Sequence, residues 1–317
     1  MNNNQKGVPH IYAGNPLDRG DQVRRDEEWI SQRAKDPGSK FLPLRDLHVL
    51  IANANDSHNT DSPEGLGWLD IKEMGELGID GSPIFLGLSE GTAHFVVDIS
   101  GNESAVKGLH DNGRWRFEDA RRATESLSGA DSGIVAQARA QVIWHSRNGF
   151  CSICGHETLV KRGGQVRQCS KCETEHYPRT DPVVITVVSD GDRCLLGQSR
   201  GRLSQTNTYS ALAGFVDQGE SIEEAVAREI MEEAGIQVAN VRYHSSQPWP
   251  FPFSLMIGCH ADAATTEIAM DEEEMTDVRW FDRAEVLLAL EGNNDKLTIP
   301  APIAIAHHLI KAWATGG

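Results

Sequence analysis

The sequence predicts a mixed α/β protein built in three parts: a mixed-sheet N-terminal region, a short cysteine-bound segment and a C-terminal region of strands and helices. Three observations lead there. Short apolar runs alternate with Gly, Asn and Asp between 41 and 117; four cysteines fall in two tight pairs between 151 and 172; and the apolar run at 183–188 precedes a strong helix signal at 221–234. The 317 residues suffice for two or three domains and a sizeable buried core.

Composition narrows the function. Hydrophobic residues make up 39% and charged residues 24%, ordinary for a globular chain, and no run of about 18 apolar residues exists to span a membrane. Residues 1–7 lack the apolar core of a secretory signal and 314–317 match no simple targeting tail, so a cytoplasmic location is expected. A net charge of −16 disfavours broad, sequence-independent binding to nucleic acid. An acidic chain still binds a phosphorylated substrate where metal ions mask its carboxylates, which leaves a small substrate or a short RNA end.

The elements are expected in this order. Residues 1–40 are polar and aperiodic, an irregular arm with at most one helix. Apolar runs at 47–51, 83–88 and 94–98, broken by turn residues, read as strands of a mixed sheet. A helix is expected over 118–145, since Ile134, Ala138, Val142 and His145 recur at near-helical spacing. Cys151, Cys154, Cys169 and Cys172 then form two Cys-x-x-Cys knuckles, with Gly155 permitting a tight turn after the first. Four thiolates at this spacing fit a closed tetrahedral zinc ribbon, which is structural; a redox pair is the alternative, without a thioredoxin-like setting. His156 and His176 lie nearby but are not needed as ligands. His10, His48, His58, His94, His110, His244 and His260 show no ligand spacing. Strands follow at 183–188, 238–244, 255–260 and 278–281, and a last helix over 303–314. The domains are expected at 1–145, 146–178 and 179–317.

The helix at 221–234 carries the chemistry. Glu229, Glu232 and Glu233 are three and four apart, so their carboxylates crowd one helical face. Adjacent glutamates are ordinarily a solvated acidic surface, but three at this spacing repel unless hard divalent cations join them. Clustered metals would neutralise a bridging pyrophosphate and activate water, the two needs of pyrophosphate hydrolysis. Ile222, Val226 and Ile230 give the helix a face to bury, Arg228 is placed to orient a carboxylate, and Gly235 suits the C-terminal turn. Gly214 and Gly219 are read as letting the preceding loop turn sharply and approach the metal site.

From Gly214 through Glu220, Arg228, Glu229, Ile230, Glu232, Glu233, Gly235 and Ile236, the segment resembles the Nudix box: glycine, five residues, glutamate, seven residues, then Arg-Glu-aliphatic-any-Glu-Glu-any-Gly-aliphatic. Every specified position is met. The resemblance implies an α/β/α sandwich and magnesium- or manganese-dependent hydrolysis, with Glu229, Glu232 and Glu233 as metal ligands. It puts Glu233 closest to the chemistry, as a metal ligand or as the base serving the attacking water.

Downstream, Ser246-Gln247-Pro248-Trp249-Pro250-Phe251-Pro252-Phe253-Ser254 holds three prolines at alternate positions, which rules out a central strand and suggests a stiff extended segment presenting Trp249, Phe251 and Phe253. Alone it would be a rigid hydrophobic corner. After a Nudix box it resembles the Ser-Gln-Pro-Trp-Pro-Phe-Pro-any-Ser signature of the NADH diphosphatase (NudC-type) subfamily, and the stretch from Trp144-His145 to Phe150-Cys151 resembles the start of its zinc ribbon. The resemblance covers about 138–314 well and the first 130 residues weakly. It implies NADH or NAD⁺ as substrate, cut to NMNH or NMN plus AMP, or an NAD cap removed from RNA by the same chemistry, rather than ADP-ribose or diadenosine polyphosphates. It further implies Phe215 and Tyr177 as aromatic faces for the nicotinamide, the tyrosine coming from the second subunit of a homodimer. Glu274 matches a fourth metal ligand, Ala306 a backbone contact to the substrate, and Gln247 and Trp249 belong to the substrate-binding signature.

Overall fold

The computed structural model describes residues 10–53, 65–111, 113–201 and 206–316; His58 lies outside them. The chain divides into two compact units. One holds Ile11–Arg179 with Pro250–Phe253; the other holds Thr180–Trp249 and Ser254–Gly317, together with His10.

The first unit opens with the 3₁₀ turn Val23–Arg25 and helix α1 (Glu27–Arg33), capped by the Asp26 carboxylate. Its sheet is made of β1 (Lys40–Arg45), β2 (His48–Ala52), β3 (Gly65–Leu66), β4 (Ile84–Ser89), β5 (Thr92–Asp98) and β6 (Trp115–Glu118), in the order β3-β2-β1-β5-β4 with β6 also on β2. Only β1 and β5 run parallel among these pairs, so the sheet is mixed, as the alternating runs predict. Helices α2 (Ile71–Glu76) and α3 (Glu103–Asp111) accompany it. The helix expected over 118–145 is instead two: α4 (Ala120–Ala123) and α5 (Gly129–Arg147). Residues 115–118 belong to β6, and Ser128 starts a new helix by accepting the Asp131 N–H, so capping chemistry overrides the apolar period. The cysteine segment folds on a three-stranded sheet of β7 (Thr158–Lys161), β8 (Val166–Cys169) and β9 (Glu175–His176).

The second unit is built on β10 (Asp181–Asp190), β11 (Arg193–Ser199), β12 (Leu212–Phe215), β13 (Val238–Trp249), β14 (Ser254–Ala263) and β15 (Met275–Asp282), in the order β13-β14-β10-β11-β15 with β12 pairing β10. Helix α6 (Ile222–Ala234) buries Ala225, Val226, Ile230 and Ala234 against one sheet face, with Val184, Val188, Leu195 and Cys259. Helices α7 (Arg283–Leu290) and α8 (Ile305–Thr315) cover the other face, against Ile185, Val187, Leu196 and Phe281. Two buried layers on one sheet make the α/β/α sandwich. No described helix is long and apolar enough to cross a membrane.

The proline-rich segment is not extended throughout. Ser246 to Trp249 complete β13, an edge strand paired only with β14, where Pro248 withholds no ladder bond from a second neighbour. Residues 250–253 then turn back, bringing Trp249 opposite Ser254. Phe253 is buried rather than presented, and Phe251 is half-buried: its ring lies 5.8 Å from that of Tyr12, with the Arg121 guanidinium 3.5 Å from its centre.

Candidate active site

Helix α6 begins with a reciprocal cap, Ser221 and Glu224 each accepting the other's backbone N–H, and ends at Gly235 with φ of 69°. With both ends fixed and one face buried, its carboxylates have little freedom. Arg228 gathers them: its guanidinium lies 2.6 Å from Glu220, 2.8 Å from Glu229 and 2.9 Å from Glu232, and it donates to the Phe215 carbonyl at 2.8 Å. The Arg228 guanidinium in turn holds the Glu220 carboxyl down at about 2. Glu220 had no role in the sequence reading. Here it locks the loop to the helix, also accepting the Asp217 N–H at 2.9 Å.

Glu233 is set apart from this network. It is 7% exposed, and its Oε2 is buried without a partner. Burial, with Glu229 and Glu274 beside it, pushes its carboxyl up to about 8, against the opposing pull of the Ala213 N–H. Glu229 is raised too, by burial first and despite Arg228. Glu274, exposed on the loop before β15, and Glu232 both raise these two carboxyls, although among the described residues only the four cysteines bring their ligand atoms close enough together to hold an ion.

Gly214 serves the close approach to the acidic site but not the sharp turn. It lies inside β12, paired with Val184, and makes no sharp turn there. A Cβ at Gly214 would stand 1.9 Å from the Glu229 carboxyl carbon. The position is a cradle for a carboxylate; only Gly219, at φ of 96°, supplies the turn.

The expected substrate residues fall in varied places. Phe215 ends β12 and is 58% exposed. Tyr177 is equally exposed but belongs to the other unit, where its hydroxyl donates to Glu175. Gln247 is fully buried: its amide donates to the Ile303 carbonyl and accepts the Ile305 N–H, both at 2.8 Å. It therefore reaches a ligand only through α8, whose first turn it holds. Ala306 lies in that turn, which no side chain of its own N-cap satisfies. Trp249 is half-buried at the end of β13.

In the first unit the four cysteine sulfurs lie within 4.8 Å of one another, with contacts of 3.4 to 3.6 Å across the knuckles. Four zinc–sulfur bonds of about 2.3 Å at tetrahedral angles need sulfurs about 3.8 Å apart. Backbone N–H groups of Ile153, Lys171 and Cys172 point at the sulfurs, as thiolates require. His176 donates or accepts at Cys151 from outside, so the set is four cysteines.

Family models match nearly the whole chain in sequence order: an NADH pyrophosphatase-like rudimentary NUDIX domain at 38–144, an NADH pyrophosphatase zinc ribbon domain at 146–177, and a NUDIX domain at 178–301. The chain is 34% identical to the NAD-capped RNA hydrolase NUDT12 of Homo sapiens, over 99% of this chain and 75% of that one. It is 43% identical to the mitochondrial NAD(P)H pyrophosphatase NUDT13 of Mus musculus, over 62% and 59% of the two chains. It is also 43% identical to the NAD-capped RNA hydrolase NudC of Pseudomonas aeruginosa, over 54% and 57%.

Proposed function

Because the chain belongs to the Nudix hydrolases of the NADH pyrophosphatase type, with their four-cysteine zinc ribbon, we propose that it hydrolyses the pyrophosphate of NADH or NAD⁺ to AMP and NMNH or NMN. The observation that carries this reading is Glu233: a carboxylate buried with an oxygen unpartnered, next to Glu229 and Glu274, is a site that a hard cation completes. Magnesium or manganese would be held by Glu229, Glu232, Glu233 and Glu274, and when bound supplies charge neutralisation for the pyrophosphate and acidifies a water.

The chain's own residues do the rest. Under this reading Glu233 is the carboxylate closest to the chemistry, holding a catalytic metal or serving the attacking water. Arg228 fixes Glu229 and Glu232 in register and, through Phe215, ties the aromatic residue to the helix that holds the acids. The exposed Phe215 ring offers a flat face for the nicotinamide. Under this reading Tyr177 supplies the opposing face from a second copy, so the working form is a homodimer. Gln247 sets α8, and the Ala306 backbone meets the substrate there.

Removal of an NAD cap from RNA, leaving a 5′-monophosphate, uses the same bond and the same groups, and two of the relatives above bear that activity in their names. A product assay in Mg²⁺ or Mn²⁺ tests both readings by comparing kcat/KM for NADH, NAD⁺, ADP-ribose and a short NAD-capped RNA. AMP with NMNH or NMN, at a kcat/KM above that for ADP-ribose, is the expected result. An ADP-ribose preference would overturn the dinucleotide reading, and the RNA value ranks cap removal against free NADH.

A further inference from the structure

The first unit contains a cavity of about 350 Å³ whose lining shares no residue with the carboxylate site. Asp21, Arg24 and Arg25 at the Val23–Arg25 turn, Gln141 from α5, and Arg162 and Gln165 beside β7 and β8 form it, with Tyr177, given above to the nicotinamide, on one wall, so three arginines face a single carboxylate. Three guanidinium groups around one hollow are notable in a chain of net charge −16.

Arg24 is the informative one. It is 2% exposed, and its donors go to the carbonyls of Arg19, Leu86 and Gly163, none of them charged. Among the described residues it forms no ion pair. A buried cation without a paired counter-charge is costly: burial, then Arg19, lowers the Arg24 pKa to about 10, with Asp21 opposing from beyond ion-pair distance. The other two arginines hold weak partners: Arg25 pairs with Asp21 at 3.3 Å where both are over 70% exposed, and Arg162 pairs with Glu175 at 3.0 Å. A dianionic group with three acceptor oxygens outcompetes such partners. Gln141 adds a second, independent requirement. Its Oε1 is buried with no donor, and a turn of the terminal amide toward the cavity it lines lets a ligand hydroxyl supply one.

We propose that this cavity binds a sugar phosphate of ribose size, its phosphate held by Arg25 and Arg162 above the fixed charge of Arg24 and a sugar hydroxyl donating to Gln141. The volume falls at the small end of ligand sites, which suits one such unit and not a dinucleotide. The unit can be a free metabolite or the 5′-phosphorylated end of an RNA, since the chemistry is shared. The site does not depend on which substrate the glutamates cleave.

Calorimetry on the full zinc-loaded protein, without added Mg²⁺ or Mn²⁺, tests this with inorganic phosphate, ribose 5-phosphate and a short 5′-phosphorylated oligoribonucleotide. Saturable binding of ribose 5-phosphate is expected, unchanged in Glu233→Gln and weakened about tenfold or more in Arg25→Gln/Arg162→Gln. Gln141→Leu should weaken ribose 5-phosphate while leaving inorganic phosphate unaffected, a pattern that general loss of folding cannot give. If the oligonucleotide binds more tightly than ribose 5-phosphate and both need the arginines, the RNA end is the source; the reverse order makes it the free sugar phosphate. Binding that persists in the arginine variant, that vanishes in Glu233→Gln, or that never saturates would overturn the proposal.

Discussion

At the scale of single residues, the site is a contest between like charges and one arginine. Glu220, Glu229 and Glu232 all lean on Arg228. Glu233 is excluded from that truce, with an oxygen facing neither a donor nor water. Glu233→Gln should therefore be tolerated by the fold, since an amide of the same shape carries no charge to bury. The metal-free melting temperature should stay within a few degrees while kcat falls by about 10²-fold or more. Unchanged turnover in Mg²⁺ would remove Glu233 from the chemistry. The spacing of these glutamates was legible because a helix has a fixed period. The particular carboxylate that Gly214 makes room for was not, because the clash it avoids is with a side chain from α6, brought across by pairing of β12 with β10.

At the scale of elements, β13 and α8 are joined by buried polar groups that a sequence reading could name but not connect. Gln247 was legible as part of a signature, yet its burial and its two bonds to the start of α8 depend on where the helix lands. The break between α4 and α5, and helix α7 between the strand at 278–281 and the last helix, escaped for a related reason: local caps at Ser128 and Asp282 outweigh the apolar period. Gln247→Leu leaves the Ile303 carbonyl and Ile305 N–H unmet, costing about 1–3 kcal/mol per buried group. KM for NADH should rise more than kcat falls, read from steady-state kinetics; an effect confined to kcat would give Gln247 a different role. The same strand carries a histidine cluster. Ser245 Oγ lies 2.8 Å from both His10 Nε2 and His244 Nδ1, the His10 and His308 rings are 4.8 Å apart, and His244 and His260 5.2 Å. Burial, then His308 and His244, lower the His10 pKa to about 4; His244, His260 and His307 are lowered also. These rings are neutral in the fold and take up protons more readily when unfolded. Stability is thus full above about pH 6.5 and is lost as pH falls toward 4. Melting temperatures across that window should fall less steeply for His10→Asn than for the unaltered chain, and equal slopes would show that the ring carries no part of the acid sensitivity.

For the whole molecule, two properties act at a distance from any one contact. The first is the zinc ribbon, whose small three-stranded sheet has little core of its own and relies on four sulfurs. Removing zinc should lower the melting temperature by about 10 °C or more, while the intact remainder, assayed in saturating Mg²⁺ before it unfolds, keeps its turnover. A zinc-free protein that melts normally and loses only catalysis would make the ribbon part of the chemistry. The second is charge. At −16, the chain repels every substrate proposed for it, all of which are anions, so attraction has to come from local features such as metal-masked carboxylates. Long-range repulsion is screened once ionic strength approaches about 0.1 M, where the Debye length falls to about 10 Å. At fixed saturating Mg²⁺, kcat/KM for NADH should therefore rise with added salt, and that for NAD-capped RNA should rise further because each additional phosphate adds repulsion. A protein built to follow an RNA backbone along basic side chains shows the opposite sign, losing affinity as salt displaces it from the phosphates. The direction of that one slope separates a dinucleotide hydrolase that tolerates an RNA tail from an enzyme that uses the tail to bind.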